Sequence, residues 1–473
     1  MDSSVVIKQS GIEFGTSGAR GLVSNFTHEV CFAFTLAFLS TQTGVKRIAI
    51  AIDNRPSSPA MAKACISAAK SVDVAVDYFG VVPTPALAYA AQAACLPAIM
   101  VTGSHIPFDR NGLKFYTKTG EITKQDEVAI ISSSTHFDQI DLLPLPISDM
   151  RAFNLYLKRY IDVFPANLLH SKRIGIYQHS SAGRDLYPDL FKALGAEVIC
   201  LGFSDEFVPI DTEAVADSDR EQARKWSEEY NLDAIFSTDG DGDRPLLADE
   251  TGEYFTGDIL GLLASKSLGI DALAVPVSCI TSIEKSGYFK KVIRTKIGSP
   301  YVIEEFDNLK QNFNSVAGFE ANGGFLLASS IIIDNKKLLQ LPTRDAILPV
   351  LAVLNLAGNF ALSGLVESLP HRFTFSDRLK AIEKSKSKSV IERGIYEVDE
   401  LVADLGLSHL KLESKNSTDG LRLSFNNGDV VHLRPSGNAP ELRCYTESDS
   451  LKGARELSRT TLNSFKTLIN EIH

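Results

Sequence analysis

Residues 101–116 read V-T-G-S-H-I-P-F-D-R-N-G-L-K-F-Y and hold the first group with the makings of a nucleophile. An apolar run over 96–101 is expected to be a buried strand that stops at Thr102-Gly103. Ser104 then falls on a turn, where Pro107 and Asn111-Gly112 forbid an immediate helix. A serine held this way at a strand end suits covalent chemistry. The G-x-S-x-G elbow of a hydrolase is missing, because Pro107 follows His105-Ile106, so acyl transfer lacks its usual oxyanion geometry. A serine that carries a phosphoryl group does not need that geometry. A Ser-His hydrolase, which would release free sugar or acid, and a plain surface turn are the competing readings.

Three more segments carry chemistry. Residues 237–244, S-T-D-G-D-G-D-R, follow a short apolar strand at 232–236 and alternate Asp239, Asp241 and Asp243 with glycines. Carboxylates this close repel one another, and a divalent cation is the simplest way to hold them together. An EF-hand would start at Asp239 and end at Glu250, but its sixth position needs glycine and holds Arg244, and 245–248 looks like a second strand. A magnesium site beside a phosphate fits better than a calcium loop or a solvated acidic turn. Residues 433–443, L-R-P-S-G-N-A-P-E-L-R, follow a strand-like stretch at 429–433. Arg434 and Arg443 can fork onto phosphate oxygens while Ser436, Gly437 and Asn438 offer further donors. The Lys of a Walker A loop is absent, so the cradle suits a phosphate that is held rather than a nucleotide that is cleaved. Residues 318–325, G-F-E-A-N-G-G-F, place Glu320 and Asn322 beside glycines that permit close approach, and a Gly-Gly turn with a capping Asn is the simpler reading of that segment alone.

With Phe14-Gly-Thr-Ser-Gly-Ala-Arg-Gly21 in front, these loops follow one another in an order that resembles the α-D-phosphohexomutases, the phosphomannomutases and phosphoglucomutases. The resemblance runs from Phe14 to about Glu447. It implies that Ser104 carries the phosphoryl group and that Asp239, Asp241 and Asp243 bind Mg²⁺ together with a phosphate oxygen on Ser104. Arg20 and His105 would sit against that phosphate, and Lys114 would transfer a proton or stabilise charge. Thr16, Ser17 and Arg244 would belong to the substrate site, Glu320, Asn322 and Gly323 to the loop that reads sugar hydroxyls, and Arg434, Ser436, Gly437, Asn438 and Arg443 to the cradle of the phosphate not being transferred. Lys296, in T-K-I-G-S, resembles a further substrate contact, with an exposed strand-end lysine as the alternative. The implied reaction moves phosphate between the 1- and 6-positions of a hexose through a bound hexose 1,6-bisphosphate, which also serves as activator. Two segments depart from the family pattern. Gly103-Ser104-His105-Ile106 stands where the family more often has Ala-Ser-His-Asn, and Glu-Ala-Asn-Gly stands where it often has Glu-x-Ser-Gly. The second is closer to phosphoacetylglucosamine mutases, so mannose, favoured, glucose and amino sugars all remain candidate substrates. A catalytically silent sugar-phosphate binder is the remaining alternative, although such a protein has no need of both the serine and three aspartates.

These loops need scaffolds, and the chain is long enough, at 473 residues, for three or four domains. Hydrophobic content of 44% and charged content of 22% are ordinary for a globular protein. A net charge of −10 without a dense basic block argues against nucleic acid as partner. The phosphosugar cleft must then be locally basic on an acidic body. Cysteines 31, 65, 95, 200, 279 and 444 show no C-x-x-C spacing and read as buried, reduced thiols rather than a disulfide framework or zinc site. The N-terminus lacks the basic region of a signal peptide, so a cytoplasmic protein is expected, a monomer or weak dimer without membrane contact. Residues 346–366 are uncharged, but Pro349, Asn355, Gly358, Asn359 and Gly364 break them, which predicts a buried helix plus a strand.

Strands and helices alternate along the chain as βαβ units require. The first set has strands at 47–52, 74–78 and 98–101 with a helix at 60–71. A second has strands at 173–177, 197–201 and 234–237 with a helix at 183–194. A third has a helix at 258–267 and strands at 273–277, 291–295 and 315–318. Residues 376–394 read as a surface helix bearing Lys380, Lys384, Lys386 and Lys388, and a helix over 451–472 closes the chain. The expected fold is three serial α/β domains with mixed sheets, 1–150, 151–254 and 255–368, plus a C-terminal α+β domain, 369–473, around a central cleft.

Overall fold

The computed structural model describes all residues except 16–17, 139, 436–440 and 472–473, and only the backbone of Lys384 and Glu471. Thr16, Ser17, Ser436, Gly437 and Asn438 therefore lie outside the described residues. The chain forms two compact units, one made of residues 1–270 and 298–365 and the other of 271–297 and 366–473.

The first unit begins with a mixed sheet ordered Glu13–Phe14, Ala19–Leu22, Arg110–Thr117, Ala98–Val101, Arg47–Ile52, Ala75–Val81, with Gly120–Glu121 paired on Arg110–Thr117. Its last three strands in this order run parallel, and Ala98–Val101 and Arg47–Ile52 are apolar and buried almost throughout, as strands covered by helices must be. Helices His28–Thr41 and Ser58–Ser71 supply that cover, with Phe34 stacked on Phe115 and Phe38 tilted against it. A second sheet is ordered Pro245–Ala248, Ala234–Thr238, Arg173–His179, Glu197–Phe203, in which only the Pro245–Ala248 pairing is antiparallel. Strands Val316–Phe319, Phe325–Leu327 and Leu341–Asp345 pair antiparallel in a third region of this unit. The chemically loaded loops thus sit at strand ends: Ser104 after Ala98–Val101, the aspartates between Ala234–Thr238 and Pro245–Ala248, and Glu320 between Val316–Phe319 and Phe325–Leu327.

In the second unit Ala272–Pro276 and Lys291–Thr295 run parallel. Its larger sheet is wholly antiparallel, in the order Phe373–Lys380, Glu441–Ser448, Val430–Pro435, Leu421–Phe425, Leu412–Asn416. Helices Lys384–Tyr396, Val398–Asp404 and Leu451–Glu471 accompany it, and Phe425, Leu433, Leu442 and Phe465 lie in the shared core.

Two expectations need correction. Residues 346–366 form two helices, Ile347–Ala357 and Leu362–Glu367, and no strand. Asp345 Oδ1 accepts the amides of Ile347 and Leu348 at the start of the first helix, and Gly358 ends it at φ 53°. The Glu250 carboxylate then accepts the amide of Leu362 at 3.0 Å and the hydroxyl of Ser363, which caps the second. These capping carboxylates lie outside the 21-residue window, so the window alone does not reveal them. Lys380 is not on the lysine-rich helix. It ends the strand Phe373–Lys380 opposite Glu441, and Ala381 at φ 58° turns the chain before the helix begins at Lys384. Among the described residues no helix is long and apolar enough to cross a membrane.

Helix Gly257–Ser267 starts directly against the 318–325 loop, where a Cβ on Gly257 would lie 2.1 Å from the Gly323 nitrogen and 2.5 Å from the Ala321 oxygen. Both are backbone atoms and cannot swing aside. Gly257→Ala is therefore expected to cost about 2 kcal/mol in urea unfolding; wild-type stability would mean that the loop moves freely.

Candidate active site

The Ser104 turn is built by a buried polar frame. Asp53 Oδ2 accepts the Thr102 hydroxyl at 2.7 Å, and Thr102 Oγ1 in turn accepts the Ser104 amide at 2.8 Å. Ser104 is fully buried at φ 51°, a left-handed conformation that costs a non-glycine residue about 1 kcal/mol or more and needs support. Arg55 supplies it. Its guanidinium donates to the carbonyls of Ser104 at 2.9 Å, Ile106 at 2.5 Å, Pro107 at 2.8 Å and Arg110 at 2.9 Å, and pairs with Asp53 at 3.3 Å. A Cβ on residue 103 would lie 2.6 Å from Arg55 Cζ, which gives a physical reason for Gly103 where alanine is more usual in the resembling family.

Asp239, Asp241 and Asp243 occupy the tip between two antiparallel strands, Thr238 pairing with Pro245, and no helix flanks them as in an EF-hand. All three are buried, and one carboxylate oxygen from each lies within 4.8 Å of the others. Ser104 Oγ donates to Asp239 Oδ2 at 2.7 Å, so the two loops meet across 135 residues. Lys114 Nζ donates to Asp241 Oδ2 at 2.6 Å and to Asp243 Oδ2 at 2.7 Å. Thr84 adds its hydroxyl to Asp241 Oδ2 at 2.7 Å, and its amide donates to the Asp241 carbonyl. Burial and the charges of Asp241 and Asp243 push the Asp239 carboxyl well above the usual range. Burial acts the same way on Asp241, but the Lys114 ammonium and the Thr84 hydroxyl outweigh it and hold Asp241 well below that range. Asp241 Oδ1 and Asp243 Oδ1 are buried and accept no hydrogen bond. Three hard carboxylates with two orphaned oxygens fit a hard divalent cation.

Cations ring the triad. Arg244 Nη1 lies 2.8 Å from His105 Nδ1, and its Nε lies 3.7 Å from Asp243 and 4.0 Å from Asp239. Because a guanidinium only donates, His105 Nδ1 is the acceptor and the ring proton belongs on Nε2. The Arg244 charge, followed by burial and Arg20, lowers His105 to about 2, so the ring is neutral. His105 Nδ1 is also 3.4 Å from Ser104 Oγ. Arg20, paired across strands with Gly112, is lowered to about 10 by desolvation and by the neighbouring Arg244 charge. Glu320 is buried and pairs with Arg344 Nε at 2.5 Å. The Asn322 side chain accepts the Gly324 amide at 2.9 Å, which is the capping turn that the loop's composition allows, and Gly323 takes φ 87°.

The first unit therefore gathers Ser104, His105, Arg20, Lys114, the three aspartates and Arg244, with Glu320 joined to Asp243 through Arg344. The second unit holds Lys296, Arg434 and Arg443 separately. Arg434 and Arg443 stand directly opposite on neighbouring strands, and Arg434 Nε pairs with Asp419 Oδ2 at 2.9 Å. The same Asp419 oxygen accepts the Ile297 amide at 3.0 Å, which ties the exposed Lys296 segment to the Arg434 strand. Arg55, Thr84 and Arg344 were missed from sequence. Arg55 follows the buried strand 47–52 and Asp53, and Arg344 sits between Thr343 and Asp345 before an apolar helix. Charged residues at such apolar boundaries were the available signal.

The sequence matches the phosphoglucomutase/phosphomannomutase family in alpha/beta/alpha domain I over residues 11–140, alpha/beta/alpha domain III over 257–373 and the C-terminal domain over 378–463. The chain belongs to this family, the α-D-phosphohexomutases. It is a hexose phosphate mutase, an isomerase with a multi-domain α/β architecture. A phosphomannomutase from Salmonella muenchen is 54% identical over 465 residues, 98% of this chain and 97% of the relative. One from Sinorhizobium fredii (strain NBRC 101917 / NGR234) is 37% identical over 94% of this chain and 97% of its own. A solved phosphoglucomutase/phosphomannomutase family protein from Burkholderia thailandensis shares the fold at TM-score 0.74 and 18% identity, covering 96% of this chain and 97% of that one.

Arg55 fixes the carbonyls around Ser104. Lysine at this position has neither the fork nor the reach for four carbonyls. Arg55→Lys is expected to lower kcat about tenfold or more, as misplacement of a nucleophile does; steady-state kinetics with unchanged kcat would show that the loop holds itself.

Proposed function

We propose that this mutase interconverts mannose 1-phosphate and mannose 6-phosphate through a phosphoryl group carried on Ser104. The hydrogen bond from Ser104 Oγ to Asp239, which joins a serine loop to a three-carboxylate site, is the observation that carries the reading. Mannose is favoured over glucose because the relatives at 54% and 37% identity are both phosphomannomutases.

The free C6 hydroxyl of mannose 1-phosphate attacks phosphorus on Ser104. The Oγ–P bond breaks as the O6–P bond forms, and the hydroxyl proton leaves to a neighbouring base. Mannose 1,6-bisphosphate results and turns over in the site. Ser104 Oγ then attacks the phosphorus at O1: the O1–P bond breaks as the Oγ–P bond forms, the base returns its proton to O1, and mannose 6-phosphate leaves with the phosphorylated enzyme restored. A loose phosphoryl-transfer transition state spreads charge over three equatorial oxygens, and Arg20, Arg244 and Lys114 are the cations to receive it. His105, neutral and held by Arg244, stays beside Oγ as a hydrogen-bonding partner rather than a charge. Asp239, Asp241 and Asp243, with a phosphate oxygen on Ser104, would hold Mg²⁺, and that ion would supply Lewis-acid stabilisation of the transferring group. Glu320, Asn322 and Gly323 read the sugar, while Arg434, Arg443 and Lys296 grip the phosphate that is not moving, together with Ser436, Gly437 and Asn438. Thr16 and Ser17 complete the substrate set. The proposed domains span 1–150, 151–254, 255–368 and 369–473. Six free cysteines fit a reducing cytoplasm, but not all are buried: Cys95, at φ 53° in the turn after helix Thr84–Ala93, and Cys200, on the edge strand Glu197–Phe203, are exposed.

Ser104→Ala is expected to cut mutase activity roughly a thousandfold or more. Intact-protein mass spectrometry should find one phosphoryl group on wild type incubated with the hexose 1,6-bisphosphate and none on the variant. Full activity in the alanine variant would end the covalent mechanism.

Asp241→Asn replaces a charged ligand by a neutral one in a set of three. Mg²⁺ affinity, measured by titration calorimetry, should fall by about tenfold to a hundredfold. Wild-type affinity would remove Asp241 from the metal site.

A further inference from the structure

We propose that Arg344 is a positioning residue for sugar recognition, setting the direction of the Glu320 carboxylate and tying it to the metal triad. The inference rests on Glu320 being the residue that reads the sugar. The backbone around Glu320 is closed by its own hydrogen bonds: the Glu320 amide donates to the Gly324 carbonyl at 3.2 Å, and the Gly323 amide donates to the Glu320 carbonyl at 2.9 Å. That turn fixes where the Glu320 side chain starts but not where its carboxylate points. Arg344 fixes the latter, with Nε 2.5 Å from Glu320 Oε2 and both side chains at most 5% exposed. A guanidinium that holds one carboxylate oxygen in its plane also sets the direction of the other, whereas an ammonium is a point charge that leaves it free.

The same guanidinium turns Nη1 toward Asp243 Oδ2 at 3.8 Å, and that oxygen also accepts from Lys114. Sugar loop and metal loop thus share one buried cation on a third element, the strand Leu341–Asp345. The sequence is cut to admit it. A Cβ on Gly324 would lie 2.7 Å from Arg344 Cδ, so the second glycine of Ala-Asn-Gly-Gly makes room for the arginine stem. A buried guanidinium that serves only stability has no need to engage both chemically loaded loops.

The test compares Arg344→Lys, Glu320→Gln, their combination, and R344M/E320Q, which removes both buried charges. Thermal unfolding checks the fold of each. Arg344→Lys should raise KM for mannose 1-phosphate about tenfold, with a smaller change in kcat. It should also move the ratio of kcat/KM for mannose 1-phosphate over glucose 1-phosphate toward one, a readout that loss of stability alone does not shift. In the Glu320→Gln background the same substitution should change KM less than about twofold, because residues acting as one unit are not additive. A folded R344M/E320Q with the kinetics of Glu320→Gln supports the pair acting together. Wild-type KM and epimer ratio in Arg344→Lys, beside an impaired Glu320→Gln, overturn the role of Arg344 alone, as do equal fold losses in both backgrounds. Wild-type KM and ratio in Glu320→Gln remove the sugar-reading role of Glu320 and this inference with it, while mutase turnover by the wild type stands apart from both.

Discussion

Three buried carboxylates that repel one another set the terms for everything around them. Asp239, Asp241 and Asp243 offer oxygens within 4.8 Å of one another at the tip of a strand pair, where water cannot screen them. The protein answers with cations from separate elements: Lys114 from the strand Arg110–Thr117, Arg344 from Leu341–Asp345, and Arg244 from the end of the aspartate loop itself. Two of them are the end of a longer connection, since Arg344 also holds Glu320 and Arg244 also holds His105. The charge problem of the triad thereby organises the Ser104 loop and the Glu320 loop around it.

Support for Ser104 follows a different principle. Ser104 is kept in a conformation its side chain disfavours by a guanidinium that has exchanged water for backbone carbonyls. Arg55 makes no contact with the triad that would mark it as part of the chemistry, and it lies on the segment after the strand Arg47–Ile52. Its cost in burial is offset by Asp53 and by the ring of Phe207, 4.0 Å from its Cζ. The network works only if residue 103 has no side chain, so the departure from the more common alanine goes together with the clamp.

Much of this was legible in the sequence, because the parts that carry chemistry are short and local. The triad is written within five residues, the nucleophile turn within four, and Gly and Pro mark both as strand-end loops. The alternation of strands and helices was equally plain where apolar runs are bounded by turn residues, as at Arg47–Ile52 and Ala234–Thr238. What stayed hidden depends on partners far along the chain. Glu250 caps a helix that begins at Leu362, so the apolar window by itself suggested a strand. Lys380 belongs to a strand because Glu441 lies opposite it. Arg55 and Arg344 are single arginines whose meaning comes from carbonyls and carboxylates that only the fold brings near. Lysine and serine content marked the 376–394 region as exposed but could not say where strand yields to helix.

The hydrogen bond between Ser104 and Asp239 also bears on how the enzyme is born. A chain made from its N-terminus has Ser104 long before its triad, and its triad long before Glu320 and Arg344. Domains generally fold as units. The aspartate tip and the strand Leu341–Asp345 belong to one compact unit, so that unit is complete only once Arg344 has been made. A truncated chain that stops short of Leu341–Asp345 carries the triad without one of its cations.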